Sequence, residues 1–175
     1  MPVEGLDETA NVLSFRTQYF SYFPGEVACF NDAQTQALAD KGVAGPPSAA
    51  LLTGGPLTQG QYDTLITTLQ AVPDGGFAIT IDGMNRQVRG NFSAVTNGAD
   101  ICGVINTSLT TFASATVNGS APYRFVITSA TTGAASSMSY ASAPAVGSNI
   151  SSVMNLTAAN GAVITPGART MEATE

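Results

Sequence analysis

The chain has no histidine, one lysine (Lys41) and two cysteines, and only 10% of its 175 residues are charged. Each shortage closes off a class of chemistry. Without histidine there is no Ser-His or Cys-His dyad and no imidazole acid, base or metal ligand. Two cysteines without histidine cannot complete a structural zinc site in one chain. Phosphate-backbone binding needs clustered Lys and Arg. Here the net charge is −6, and residues 1–74 hold eight acids and two bases, against four of each in 75–175. Nucleic acid is therefore not an expected partner. No apolar run approaches the roughly 20 residues that span a bilayer, so no membrane partner is expected either. The acidic, polar start MPVEGLDETANV lacks the basic end and apolar run of a signal peptide, which points to synthesis in a cytosol.

The remaining candidates for chemistry are few. Asp82 with Asp100, or Asp63 with Asp74, are the carboxylate pairs a glycosidase would use. Asp82-Gly83 is already explained as a hairpin turn and Asp100 by a helix's first turn. No D-x-D-x-D run offers a calcium site. Gly54-Gly55-Pro56 lacks the Lys-Ser/Thr of a phosphate loop. Arg86, Arg89 and Arg124 read as solvated strand positions or as partners for a neighbour's acids. The expectation is a protein that is not an enzyme, with no catalytic residue, no metal and no cofactor. Cys29 and Cys102 read as buried free thiols rather than a disulfide.

What is present is an aromatic cluster near the N-terminus, Tyr19, Phe20, Tyr22, Phe23 and Phe30. Residues 1–14 read as a flexible arm. Residues 15–45 read as a strand, a Pro24-Gly25 turn, a second strand over Glu26–Phe30, and a helix that Gly42 ends. About thirty residues cannot bury five aromatics alone. Aromatics are enriched at interface hot spots. The expected partner-binding residues are Tyr19, Phe20, Tyr22, Phe23, Pro24, Gly25, Glu26, Val27, Phe30 and Leu38.

Residues 46–60, GPPSAALLTGGPLTQG with its flanks, read as a Pro/Gly linker in which Ala49–Leu52 can add one apolar strand. A domain over 61–167 follows. Tyr62, Leu65, Ile66, Leu69 and Val72 form a helical stripe that Thr58 can cap. Phe77, Ile79 and Ile81 alternate into the Asp82-Gly83 hairpin, which returns through Val88. Ile101, Val104, Ile105, Leu109 and Phe112 predict a helix over 98–112. YRFVITS at 123–129 predicts a strand that turns at Thr131–Gly133 into SSMSYAS. Ser151–Leu156 reads as a helical turn, Ala162–Ile164 as a strand, and 168–175 as a tail. The fold class expected is α+β: a mainly antiparallel β domain with two or three short helices, preceded by a small β-turn-α docking module.

Two stretches resemble known families. Tyr22-Phe23-Pro24-Gly25-Glu26-Val27-Ala28-Cys29-Phe30, then Ala37-Leu38, then Gly42-Val43-Ala44, resembles a docking module of head-decoration and head-fibre proteins of tailed bacteriophages. FAITIDG, RFVITSATTGAASSMSYA and NISSVMNLTAANGAVITPGA are similar to a β-rich module of tail-sheath-like phage proteins, over about 76–167. A sheath subunit is much larger and has interlocking terminal arms, so the sheath role is not carried over with the likeness. The resemblances imply a structural protein of the virion: a head decoration, cement or head-fibre protein on the capsid surface that binds the major capsid protein through residues 15–45. The composition, with its weakly charged β surface, adds the expectation of a homo-oligomer, a trimer among the options. The alternatives are a tail or neck component, or a host-surface or carbohydrate-binding β domain using Tyr123 and Tyr140.

Overall fold

A short apolar strand that the sequence hides between Pro-Pro and Gly-Gly is the piece around which the larger sheet forms. The computed structural model describes residues 47–167. Strand β1 (Ala49–Thr53) is followed by helix α1 (Gln59–Gln70), strands β2 (Gly75–Ile81) and β3 (Met84–Gly90), helix α2 (Gly98–Leu109), strands β4 (Ala113–Val117), β5 (Phe125–Thr132) and β6 (Ser148–Asn149), a 3-10 turn at Ala158–Asn160, and strand β7 (Val163–Thr165). One sheet has the order β4-β5-β1-β7 with every neighbour antiparallel. The other has the order β3-β2-β6, with β3 antiparallel and β6 parallel to β2. This is an α+β domain, mainly antiparallel β. The arm, the 15–45 module and the tail lie outside the described residues.

Local signals set most of the elements. Thr58 and Gln61 form a reciprocal capping box at the start of α1. Asn97 caps α2 by accepting from the Asp100 N–H. Asp82 and Gly83 both have positive φ, 50° and 77°, as a two-residue hairpin turn requires. Leu65 and Leu69 of α1, and Ile101, Ile105 and Leu109 of α2, are buried. They meet Leu52, Phe77, Ile79, Phe92, Phe125 and Ile127 in one core.

The apolar strand that Ala49–Leu52 can add does form, as β1, and it lies between β5 and β7 with Ala50 and Leu52 fully buried. Two expectations are corrected. Residues 136–142 do not form a hairpin with β5, because β4 and β1 already occupy both of its edges. They cross to the other sheet instead. There Ser142 and Ala78 exchange backbone hydrogen bonds, and the Ser139 N–H donates to the Thr80 carbonyl. These bonds pair the edge of β2 beyond its short contact with β6, and six of the seven β2 residues are buried. Helix α2 stops at Leu109 rather than 112, because Thr110 has φ 51°, a strained value for a β-branched residue.

Helix α2 also seals two sheet edges. The Asn106 side chain accepts from the Ala115 N–H (2.6 Å) and donates to the Ala115 carbonyl (3.1 Å) on β4. Ser108 Oγ accepts from the Arg89 N–H (3.1 Å) and donates to the Arg89 carbonyl (2.8 Å) on β3. An open edge is a template for pairing with another chain. Asn106→Ala leaves both Ala115 groups without their partner, so a loss of about 1–3 kcal/mol is expected. Sedimentation should then reveal new self-association through β4; an unchanged monomer-to-oligomer balance would show that the clamp does not guard the edge.

Candidate functional site

The ten residues expected to bind a partner, Tyr19, Phe20, Tyr22, Phe23, Pro24, Gly25, Glu26, Val27, Phe30 and Leu38, all lie outside the described residues. Among the described residues the surface feature with an unusual chemistry is a groove at the tip of the β2–β3 hairpin. It has a volume of about 250 Å³ and is lined by Ile81, Asp82, Met84, Arg86, Thr111, Phe112, Ala130 and Thr131. The hairpin turn places Met84 and Arg86 on one wall. The positive φ of Thr110 throws Phe112 out of the helical stripe onto the other wall. The Phe112 carbonyl is pinned by the Ala130 N–H at 2.9 Å.

The arginine in this groove is held without an oxygen acceptor. Its guanidinium carbon lies 3.5 Å from the centre of the Phe112 ring. One terminal nitrogen donates weakly to Met84 Sδ at 3.5 Å. Its Nε is buried and has no hydrogen-bond partner. Around it, Met84 is 58% and Phe112 41% exposed, high for large apolar side chains. The Asp82 carboxylate accepts from Ser129 Oγ (2.9 Å) and from the Ser137 N–H (2.8 Å). These bonds tie the hairpin tip to β5 and to the segment after it.

Burial pushes the Asp82 carboxyl up. The hydrogen bonds from the Ser137 N–H and from the Thr131, Ser129 and Ser136 side chains outweigh it, and the group stays below the usual carboxylate range. A carboxyl depressed in the folded state stabilises above its unfolded pKa of about 3.9 and loses that stabilisation as pH falls through the folded value. Asp74, through Arg89, and Asp100, through Thr96, are shifted the same way. The thermal midpoint should therefore fall on acidification below about pH 5. Asp82→Asn should be less stable than the parent near neutrality, with the gap closing as the pH drops. Melting curves across that range check this; a gap independent of pH would mean the carboxylate charge is not what Ser129 and Ser137 stabilise.

The other residues singled out in the sequence are structurally engaged. Arg89 makes a bidentate pair with Asp74 at 2.6 and 2.7 Å. Arg124 donates to the Gly54 carbonyl at 3.0 Å. The Tyr123 ring stacks on Tyr62 at 4.0 Å and its hydroxyl donates to Gln59, so one ring face is already covered. Tyr140 is 40% exposed. Cys102 is a buried free thiol, and burial pushes its pKa up to about 11. Cys29 lies outside the described residues. Among the described residues no group of three or more His, Cys, Asp or Glu is placed to hold a metal ion, and no helix is long and apolar enough to cross a membrane.

Sequence reasoning missed the groove. Phe112 fits the α2 stripe by spacing, and nothing in the sequence separates Arg86 from Arg89 and Arg124, which read equally as solvated strand positions or partners for a neighbour's acids. The one local hint is an apolar Met84 immediately after an Asp-Gly turn, where polar residues are usual.

Residues 47–168 match the family model described as E217 tail sheath protein gp31, insert domain. No curated protein matches the chain.

Proposed function

Because the chain belongs to the E217 tail sheath protein gp31 insert-domain family, we propose that it is a tail or neck component of the phage particle that acts by docking to other virion subunits. It is a phage structural protein. The observation that carries the tail placement is where the match falls. It covers the whole described domain, whereas the head-decoration likeness rests on residues 22–44, which are outside it.

In this reading the domain is a rigid, weakly charged module. Its two sheets and α2 hold the hairpin tip in place, and the exposed Met84 and Phe112 supply apolar contact area. The work done is binding, without a bond-making step, a cofactor or a nucleic acid. A homo-oligomer, a trimer among the options, fits a chain in which only 10% of the residues are charged.

The test is to purify virions, separate heads from tails, and identify the protein in each fraction by mass spectrometry. Recovery with tails supports the proposal. Recovery with heads alone overturns it, and favours decoration of the capsid surface by contact between residues 15–45 and the major capsid protein.

A further inference from the structure

We propose that the groove at the hairpin tip takes a glutamate side chain from a neighbouring virion protein, with Arg86 as its anchor. This rests on the reading of the chain as a docking protein and names the chemistry of the partner.

The described domain has three arginines. Arg89 has Asp74, and Arg124 has the Gly54 carbonyl. Arg86 has only a sulfur and a ring face, and its Nε is buried with nothing to donate to. A buried N–H of this kind is normally satisfied. Asp82 lines the same groove, but its oxygens accept from Ser129 and Ser137. Among the described residues the one ion pair joins Arg89 to Asp74, so Asp82 does not complete Arg86.

The terminal nitrogens also reach no oxygen, and Arg86 lines the groove, so the group missing there is an oxygen acceptor, and charge complementarity makes it an anion. The lining selects among anions. A ring-stacked guanidinium is fixed in plane and presents its edge for a two-point contact with a carboxylate. Asp82 in the same lining opposes a dianion such as a phosphate monoester and favours a single negative charge. Ile81, Met84 and Ala130 provide apolar contact for an aliphatic stem. At about 250 Å³ the groove is below the roughly 300–1,000 Å³ of small-molecule sites. It has room for one side chain of a docked segment rather than a free cofactor. A glutamate meets all four conditions.

The probes are two blocked peptides, N-acetyl-Leu-Glu-Leu-amide and its Gln analogue, added to the full chain carrying nitrogen-15 arginine. The Arg86 Nε–Hε signal is assigned as the one lost in Arg86→Lys. With the Glu peptide it should shift and saturate in the millimolar range. The Gln peptide should bind about tenfold more weakly, the worth of a charge-assisted hydrogen bond. Phe112→Ala should weaken the Glu peptide as well. An Arg86 signal that does not move, or one that moves equally with both peptides, overturns the proposal. Either result leaves the head-or-tail assignment untouched, and a head location would in turn leave a saturable Arg86 shift standing.

Discussion

Leu52→Ala lowers the stability of the domain by about 3 kcal/mol, a large part of the roughly 5–15 kcal/mol that holds a typical domain together. Leu52 has no exposed surface, and β1 is hydrogen-bonded on both sides. Truncating it removes apolar area from water and leaves a cavity that two flanking strands cannot collapse into. The register makes the same point. Leu52 faces Ile127 on β5 and Ile164 on β7, so one side chain joins three strands. Met84→Ala, on the exposed hairpin tip, is the control and should stay within about 0.5 kcal/mol of the parent. Urea unfolding of both variants decides it. A Leu52→Ala cost below about 1 kcal/mol would mean that 46–60 behaves as a connector after all.

Gly55→Ala has a comparable effect for the opposite reason. A Cβ at this position would sit 2.0 Å from the Asn160 carbonyl oxygen, far inside contact distance. The clash is with backbone, so no rotamer change relieves it. The segment on the other side is held by its own bonds, since the Gly55 N–H donates to the Asn155 carbonyl at 2.8 Å. Relief requires the 155–161 turn to move away from β1, at a cost of about 3 kcal/mol, the upper end for an overpacked site. Gly60→Ala, where a Cβ meets nothing within 4 Å, should be neutral or gain about 0.5 kcal/mol from helix propensity. Thermal unfolding of the pair separates the two roles; equal midpoints would place residues 155–161 away from Gly55 in solution.

These two residues also show where the sequence stops being readable. Gly54-Gly55-Pro56 looks like a break because glycine and proline usually are one. Here Gly55 is required because the Asn160 carbonyl approaches too closely for any side chain. Thr58, Gln61, Asn97, Asp82 and Gly83 were legible because a cap or a two-residue turn is settled by neighbours a few positions away. The α1 stripe and the alternation of β2 were legible for the same reason. Met138 and Tyr140 misled, because alternation gives a strand its faces but not its partner. Only the competition for edges, with β5 already flanked by β4 and β1, sends them to β2.

The candidate site followed the same division. The sequence by itself determined the negatives, since a chain without histidine has no imidazole chemistry in any fold. It also determined the periodic elements, the turns, and the likeness of its second half to a phage sheath module. The tertiary structure alone decided that Ala49–Thr53 is a central strand, that α2 clamps one edge of each sheet, and that Phe112 leaves its helical stripe to cover Arg86. Those outcomes depend on contacts between residues far apart along the chain. Their energy comes from packing and from backbone groups left to be paired, and neither is encoded in any short window of the sequence.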